Sequence, residues 1–446
     1  MGQDVKRRSE VCPLPPGPLK DLNRHLRPRT IFMAVSLTFI LTTTGLVYYR
    51  MPPSSLPSYI RLPPIEPPTV SSLVPGTPHS TIAIDGDANF SDTALLEGWP
   101  GDGSPENPYI IDGLDFNEAG EEGSCISISN TQVSFIIGNC SLSGASYSYG
   151  IDLENVTHGK LVKNIIDIDW RGIVVFHSNY STIADNIFTN SYHDVDCWSS
   201  SHNTFVNNTC LNSRVGISLS MSSTSIVAGN TCYNCSCGIT ISSSESNTVT
   251  DNTCYNNGDG ISLEGSHSNT VENNTCNSNF AGISLRDSDS STVANNTCYS
   301  NKEDGISLHE SDSNTVANNT CSGNEFSGIG LEGSHSNTVA NNTCSYNDIG
   351  ISLKDSDWNT VANNIFTNNR IDIDAHVYEL VVNTLFRLSI LGIGLALPVA
   401  GYRMVKLSKG MSDEEYVRSL RRHNYHDIRE ASRTAVTLLE NDNGES

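Results

Sequence analysis

Arg286, Asp287 and Asp289 place one guanidinium and two carboxylates within four residues, in a stretch whose other side chains are uncharged. Carboxylate oxygens are the ligands that Ca²⁺ prefers, and two carboxyl groups about 5–9.5 Å apart can cleave a glycosidic bond. These three residues are therefore the candidate catalytic or calcium-binding group. The competing interpretation is a solvated strip of alternating charges, which is favoured because stacked repeats bring carboxylates together without any function.

Aromatic and histidine side chains form a second group of candidates. Tyr192 and Trp198 lie beside His193 and Asp194 in the stretch that departs most from the repeat described below, and His309 occupies the same repeat position as Trp198. Aromatic rings with a polar edge suit stacking on sugars, and packing along an edge is the equal alternative. We predict Trp198, Tyr192 and His309 as binding residues.

A repeat of constant length positions all of these residues. One core position recurs every 22 or 23 residues and is mostly cysteine. Its members are Ile166, Phe188, Cys210, Cys232, Cys254, Cys276, Cys298, Cys321, Cys344 and Phe366. A fixed period of this length is the signature of a solenoid, in which neighbouring repeats bury one another.

Each repeat alternates apolar and polar residues, as in Ile283-Ser284-Leu285, which is the pattern of a strand with one buried face. The remaining Ser, Thr, Asn and Gly residues are poor helix formers, which disfavours a leucine-rich repeat of similar period. The sequence therefore predicts an all-β parallel β-helix of about twelve coils, a rod of roughly 55–60 Å. Regular asparagines from Asn164 to Asn364 and serines from Ser178 to Ser356 predict side-chain ladders at its corners.

Cysteine usage has two interpretations. Thirteen cysteines would suggest disulfides in an exported protein, but seven occupy the core position, where a free thiol acts as a small hydrophobe. A buried thiol ladder is favoured, and disulfides between adjacent coils stay open. Cys232, Cys235 and Cys237 have the spacing of metal ligands in one coil only. We predict no metal centre and no cofactor, with calcium left open.

The charge is concentrated in the rod. The chain has a formal net charge of −23, and residues 30–402 contain 11 basic against 38 acidic residues. A surface this acidic repels nucleic acid and other polyanions, which excludes nucleic acid as a partner.

Two apolar segments flank the rod. Residues 30–49 carry no charge and are long enough to span a membrane; Pro52 and Pro53 follow where a cleavage site would need small residues, so an uncleaved anchor is preferred over a signal peptide. Residues 380–402 form a weaker second span because Arg387 interrupts it, and a helix that caps the solenoid is the alternative. Basic residues precede the first segment and follow the second, which predicts cytoplasmic termini and an extracytoplasmic rod.

The predicted organisation follows from these boundaries. It comprises a cytoplasmic segment (1–29), a transmembrane helix (30–49), a Pro-rich spacer (50–81), the β-helix ectodomain (82–375), a second transmembrane helix (380–402) and a cytoplasmic tail (403–446). The tail can dock a cytoplasmic partner whose identity the sequence does not give. Five Asn-x-Thr sequons at one corner are candidate glycosylation sites, namely Asn207, Asn273, Asn295, Asn318 and Asn341.

The unit Asn-Thr-Val-Ala-Asn-Asn-Thr-Cys followed by Gly-Ile-Ser-Leu resembles the right-handed parallel β-helix repeat of the pectin-lyase-like superfamily, in particular the NosD-type domain of archaeal and bacterial surface proteins. The stretch from Gly98 to Gly113 resembles the segment that opens such domains, and the resemblance covers about residues 82–375. It implies the fold but little about activity, because lyases, hydrolases, adhesins and scaffolds share it. Copper binding is not carried over, since the coils contain only one methionine, Met221.

Two classes of function remain. One is a membrane-tethered surface protein that binds glycans or envelope proteins or serves as a spacer; the other is a membrane-anchored polysaccharide lyase or glycoside hydrolase. Lyases of the superfamily hold calcium with acidic residues and take a proton with a basic residue, which is the role that the resemblance implies for Arg286, Asp287 and Asp289. The near-perfect repeats favour the first class, because catalysis needs residues that occur once.

Overall fold

A computed structural model describes residues 76–118, 123–144 and 149–375. They form three parallel sheets of 13, 13 and 12 strands, in which each strand pairs with the third strand before it and the third after it. Consecutive strands along the chain therefore lie in different sheets, so the chain winds as a three-sided β-helix. Equivalent residues of successive coils pair with one another; Ile261, for example, pairs with Ile283.

We name the sheets after their inward columns. The cysteine sheet consists of Thr77–Pro78, Leu114–Glu118, Ser141–Gly144, Ile165–Ile168, Ile187–Thr189, Thr209–Leu211, Thr231–Tyr233, Thr253–Tyr255, Thr275–Asn277, Thr297–Tyr299, Thr320–Ser322, Thr343–Ser345 and Ile365–Thr367. The isoleucine sheet consists of Ile82–Asp85, Ser124–Thr131, Tyr149–Val156, Arg171–Phe176, His193–Trp198, Val215–Ser220, Cys237–Ser242, Asp259–Glu264, Ala281–Arg286, Ile306–His309, Ser327–Glu332, Ile349–Lys354 and Ile371–Asp374. The valine sheet consists of Tyr109–Asp112, Phe135–Gly138, Gly159–Val162, Thr182–Ala184, Thr204–Val206, Ile226–Ala228, Thr248–Thr250, Thr270–Glu272, Thr292–Ala294, Thr315–Ala317, Thr338–Ala340 and Thr360–Ala362.

The inward columns fill the centre of the rod. Cys254, Ile261, Leu263 and Val271 of one coil are all inaccessible to solvent, and their counterparts in neighbouring coils stack on them. No disulfide joins the cysteines in the described part of the chain. The predicted ladder of buried thiols is thus the arrangement that the structure contains.

Side-chain ladders close the corners, as predicted. The Asn252 amide donates to Asn274 Oδ1 at 2.9 Å, and its own Oδ1 accepts from the backbone and the side chain of Asn230. Serines act in the same way, with Ser266 Oγ accepting from the backbone of Ser244. A further asparagine ladder, which the sequence analysis did not single out, contains Asn257, Asn279, Asn301, Asn324 and Asn347.

One helix, Asp87–Glu97, covers the N-terminal end of the rod. It buries Phe90 and Ala94 against the first coils, and Phe90 packs on the rings of Tyr109 and Phe135. Gly98 ends the helix in the left-handed conformation with a backbone bond to Ala94. A capping element of this kind shields the apolar end that a solenoid otherwise exposes.

The predicted fold class is confirmed for the rod, and the first strand, Thr77–Pro78, lies slightly before the predicted start at residue 82. That strand contains only two residues, which pair with Leu114 and Asp115. Two residues are too few for the repeat pattern to be visible in the sequence. The proposed spans at 30–49 and 380–402 and the tail at 403–446 lie outside the described residues. Within residues 76–118, 123–144 and 149–375, no helix is both long and apolar enough to cross a membrane.

Candidate functional site on the isoleucine sheet

The outward face of the isoleucine sheet carries the least repetitive side chains of the rod. We call the part formed by the strands from Tyr149 to Ser242 the groove face. Its middle column contains Asp152, Val174, Asp196, Ser218 and Thr240 in register. A cavity of ≈ 420 Å³ lies over it and is lined by Arg171, His193, Asp196, Trp198, Ser218, Ser220, Met221, Ser242 and Ser243.

A carboxylate held between two basic groups occupies the centre of the groove face. Asp196 Oδ2 lies 3.0 Å from Arg171 Nε, and Asp196 Oδ1 lies 3.5 Å from His193 Nδ1. Arg171 and His193 are register neighbours at the start of their strands, which is why both reach the same acid. The Arg171 guanidinium also lies over the rings of Tyr149 and Trp170 at 5.8 and 5.7 Å. Arg171 Nε and His193 Nδ1 make no hydrogen bond within the described part of the chain, so these contacts are electrostatic.

Asp152 is a second acid of the same column, one coil on the other side of Val174. Burial raises the pKa of this carboxyl to about 6, the neighbouring Glu154 carboxylate adds to the rise, and Arg171 opposes it. Asp152 and Asp196 are two coils apart, which corresponds to about 9–10 Å along the rod. The groove face thus contains two carboxyl groups in different environments, the arrangement that acid–base chemistry requires.

Aromatic rings form both rims of the groove face. On one rim Tyr192 stacks on Trp170 at 4.6 Å, and the Arg214 guanidinium lies over Tyr192 at 4.6 Å. On the other rim Trp198 is 45% exposed and packs at a tilt against Phe176, with 5.5 Å between ring centroids. Tyr192 and Trp198 are six residues apart, about 20 Å along the strand, and only Trp198 lines the cavity. A ligand that runs along the rod therefore contacts the rings of one rim.

The structure separates the three predicted binding residues. Tyr192 immediately precedes the strand His193–Trp198, and Trp198 is its last residue, so the two side chains lie on opposite rims of the groove face. His309 shares the column of Trp198 but is five coils away, about 24 Å along the rod. Its Nδ1 is buried and has no hydrogen-bond partner. Only Tyr192 and Trp198 can therefore belong to one site on the groove face.

Arg286, Asp287 and Asp289 lie together at one corner, outside the groove face. Arg286 and Asp287 are exposed, and Arg286 is in register with Glu264 and His309. Asp289 Oδ1 accepts the backbone N–H of Asp312 at 2.6 Å, and the backbone N–H of Asp289 donates to His267 Nδ1. Asp312 repeats the contact on His335, so Asp289 is part of a corner ladder. That contact gives its carboxylate a structural role, and the catalytic or calcium role of the group stays a prediction.

The five sequon asparagines lie at one corner and are all exposed, as their position before the buried ladder predicted. They share a left-handed backbone, with φ between 54° and 58°. Their glycosylation stays a prediction.

Of the cysteines with metal-ligand spacing, Cys232 and Cys235 are buried and Cys237 is half-buried. The described segments of the chain contain no group of three or more His, Cys, Asp or Glu arranged to hold a metal ion.

Sequence reasoning missed Arg171, Asp152 and Asp196. The usable signal was the register: counting back 22 residues from Asp196 gives Val174 and a further 22 gives Asp152, so all three share a column. The same count pairs Arg171 with His193. Read along the chain, the repeat breaks most visibly at the strand ends, where Trp198 lies.

Comparisons with known proteins agree with this architecture. Residues 124–298 match the family model of the right-handed β-helix region, and residues 254–379 match that of the periplasmic copper-binding protein NosD. A search of curated proteins found no sequence match. Among solved structures, the A-module of mannuronan C-5 epimerase AlgE4 from Azotobacter vinelandii is similar, with 13% identity, a TM-score of 0.50 and coverage of 65% of this chain and 93% of that one.

Two further structures have lower TM-scores. The periplasmic alginate epimerase AlgG has 15% identity and a TM-score of 0.39, with coverage of 67% of this chain and 84% of that chain. The Dettilon tailspike protein has 14% identity and a TM-score of 0.42, with coverage of 61% and 64% respectively. At such low sequence identities, structural similarity shows only that the folds are alike.

Together the three-sheet winding and the family models define a right-handed parallel β-helix protein. Its C-terminal coils carry the repeat of the NosD family. Residues 124–379 thus match a NosD-type right-handed β-helix repeat.

Proposed function

We propose that this protein is a membrane-tethered, extracytoplasmic β-helix that binds a surface glycan along the groove face. The observation that carries the proposal is the pair of aromatic rims, Trp170–Tyr192 and Phe176–Trp198, on either side of a floor of small and polar side chains. Rings contact the apolar faces of sugars, and the charged groups between them bond to hydroxyls. Each rim has two rings in adjacent coils, about 4.8 Å apart, which suits a short stretch of polymer that lies along the rod.

The negative charge of the rod disfavours acidic glycans as ligands. Acidic residues far outnumber basic ones in the stretch from 30 to 402, and Arg171 on the groove face is already paired with Asp196. A polyanion would therefore be repelled unless calcium bridged it. A neutral polysaccharide is the ligand class that we propose, with an envelope protein or a purely structural spacer as the outcome if no glycan binds. Copper is not part of the proposal, because soft outward ligands are scarce.

The test of glycan binding uses the full-length chain in detergent and a panel of neutral and acidic polysaccharides, with and without calcium, in titration calorimetry. Trp198→Ala should weaken binding of the neutral ligand about tenfold. Trp358→Ala is the matched control, because Trp358 is 66% exposed and lies far from the groove face. Equal loss in both variants, or no binding to any polymer, would contradict the proposal.

A polysaccharide hydrolase or lyase at the same place is the second candidate. The specific observation in its favour is that the pKa of Asp152 is raised to about 6. The carboxylate of Asp196, which is paired with Arg171, lies two coils away. The full-length chain is incubated with the same polymers and the products are sized by mass spectrometry. Shortened glycans that are lost on Asp152→Asn or Asp196→Asn would support an enzyme; loss on Arg286→Ala or Asp287→Ala would instead place the chemistry at the corner.

The membrane topology and the glycosylation sites are part of the proposal. Two spans at 30–49 and 380–402 would place both termini in the cytoplasm, where the tail 403–446 can meet a partner. Protease treatment of intact cells should remove the rod and spare the termini. Intact-mass analysis should find sugar on Asn207, Asn273, Asn295, Asn318 or Asn341. A spacer (50–81) that stays uncleaved when intact cells are treated with protease would refute the topology independently of glycan binding.

A further inference from the structure

Large apolar side chains interrupt the repeat at the C-terminal end of the described rod. Trp358 and Ile365 lie in the last coil and are 66% and 60% exposed, and Tyr346 lies one coil earlier and is 37% exposed. Measured along the rod, all three fall within about 5 Å of one another. Trp358 precedes a strand of the valine sheet, Ile365 begins a strand of the cysteine sheet and Tyr346 follows one. They therefore form an apolar belt around this end, which we call the terminal belt.

The repeat itself does not require these residues. The five coils before Trp358 have serine at its position, namely Ser246, Ser268, Ser290, Ser313 and Ser336. Ile365 pairs with Thr343, in a column that is threonine from Thr209 to Thr343. Trp358 and Tyr346 also have a left-handed backbone, with φ 63° and 57°, which is rare for bulky side chains. Neither burial nor local backbone preference explains the terminal belt.

The terminal belt lies at the end of the rod that is nearest in sequence to a predicted span. The last strand ends at Asp374, and the apolar segment 380–402 begins five residues after Ala375, a distance of at most about 18 Å. At the other end, the 26 residues from 50 to 75 precede the described rod. Fully extended, such a Pro-rich spacer reaches about 80 Å, which is longer than the rod. Both spans can therefore enter one membrane while the rod stands on its C-terminal end.

We propose that the terminal belt rests on the lipid headgroups of the membrane into which segment 380–402 inserts. Trp and Tyr rings are enriched at membrane–water interfaces, because they combine an apolar body with a polar edge. Residues 346–375 contain five acidic and two basic residues, so anionic lipids are repelled and the favoured surface is zwitterionic. The predicted extracytoplasmic side agrees with this, since anionic lipids are concentrated in the cytoplasmic leaflet. This inference rests on the second span of the proposed topology and is independent of glycan binding.

Tryptophan quenching in vesicles tests the proposal. The full-length chain is reconstituted into phosphatidylcholine vesicles, with quenchers either attached to the lipid headgroups or dissolved as iodide. Trp358 reports on the terminal belt, because Trp198 lies seven coils earlier, about 34 Å along the rod, and Trp99 and Trp170 precede it. We expect headgroup quenchers to reduce the emission and Trp358→Ser to abolish that reduction. Phosphatidylglycerol vesicles should give weaker quenching, and equal or stronger quenching there would contradict a zwitterionic surface.

Further variants keep Trp358 as the reporter. Tyr346→Asn and Ile365→Thr restore residue types of the neighbouring coils, so both should fold. Combined, they should weaken headgroup quenching of Trp358, because the belt loses two of its three apolar side chains. Phe280→Ser is the matched control, since Phe280 is half-exposed but lies four coils from the end. An equal effect of the control would show that the quenching does not report on the belt.

The remaining outcomes separate the terminal belt from the topology. Quenching of Trp358 by iodide alone would show that the belt faces water. Protection from both quenchers would show that protein covers it, either residues 376–402 or a second copy of the chain. Either result, in a chain that resists extraction by alkaline carbonate, overturns the inference and leaves the spans intact. A chain that carbonate removes from the vesicles lacks the spans, so that the proposed topology and the inference fail together.

Discussion

Arg171 and Asp196 face each other across neighbouring coils, with 3.0 Å between Nε and Oδ2, and the other oxygen of the carboxylate lies 3.5 Å from His193. The pair is only partly accessible, with side-chain exposures of 27% and 11%. A charge in such a place is expensive to leave unpaired. This contact therefore ties the geometry of the groove face to the stability of two coils.

Replacement of Arg171 by glutamine should affect both properties. We expect Arg171→Gln to lower the free energy of unfolding by about 1–3 kcal/mol, because Asp196 loses its main partner, and to weaken glycan binding. Thermal melting and titration calorimetry measure the two effects. Arg370→Gln is the matched control, since the Arg370–Asp348 pair is exposed, and exposed pairs contribute about 0–1 kcal/mol. A similar loss of binding in the control would show that the groove face is not the site.

Asp152 should make ligand binding depend on pH. Burial and the Glu154 carboxylate raise its pKa to about 6, so the group is neutral below pH 6 and charged above it. A charged carboxylate is the stronger acceptor of a sugar hydroxyl. Affinity for the neutral glycan should therefore increase as pH rises through about 6. Because His193 also lies in this groove, the decisive comparison is Asp152→Asn, which should remove the Asp152 component of the pH dependence; an unchanged profile would show that Asp152 does not contact the ligand.

Asp194 should make the rod less stable as pH rises. It occupies a column in which the neighbours Gly172 and Gly216 have no side chain, because a Cβ there would lie 2.5 Å from a backbone oxygen of the next coil. Its carboxyl group is wholly buried and accepts a hydrogen bond from Ser213 at 2.7 Å. Burial raises its pKa to about 8, and the bond from Ser213 opposes the rise. The folded state thus holds a proton that the unfolded chain, with a pKa near 3.9, has lost.

The sign of the effect follows from this linkage. The stabilisation by proton binding is complete below about pH 4 and is lost as pH rises towards about 8, by up to about 1.4 kcal/mol per pH unit. Asp194→Asn should melt at a temperature that is less sensitive to pH between 5 and 8. Melting curves of the two proteins across that range provide the measurement. If the two pH profiles run parallel, Asp194 is not protonated in the folded rod.

Much of the fold could be predicted from sequence because each repeat places the same types of residue at the same positions of the coil. Columns of isoleucine, valine and cysteine gave the buried faces, and Asn164 to Asn364 gave the corner ladder. The groove face could not be found in the same way, because Arg171, Asp152 and Asp196 come together only when the register between coils is imposed. Conversely, the sequence makes Asp289 a candidate catalytic or calcium-binding residue, but its carboxylate accepts a hydrogen bond from the backbone of the next coil. Spacing along the chain does not reveal that contact.

The Asn252 side chain is expected to stabilise three coils at once. Its Oδ1 accepts from the backbone N–H and the amide of Asn230, and its amide donates to Asn274 and to the Val227 carbonyl. Asn252→Ala should lower the free energy of unfolding by about 2–4 kcal/mol, because several buried groups lose partners. Asn273→Gly, at an exposed left-handed position, should change it by less than about 0.5 kcal/mol. Denaturant titration compares the two, and equal effects would show that the ladder is not stabilising.

The core thiols Cys197, Cys210 and Cys254 should be unreactive in the folded protein. Cys210 and Cys254 are inaccessible to solvent, and burial raises the pKa of Cys210 far above its ordinary value and that of Cys197 to about 12. The thiolate that attacks alkylating reagents is therefore absent at pH 8. Iodoacetamide should leave these cysteines unmodified in the native chain and modify them after unfolding, as read out by peptide mass spectrometry. Ser290→Cys on an exposed corner supplies the positive control. Rapid native labelling of Cys254 alongside that control would mean that the coils open in the folded state.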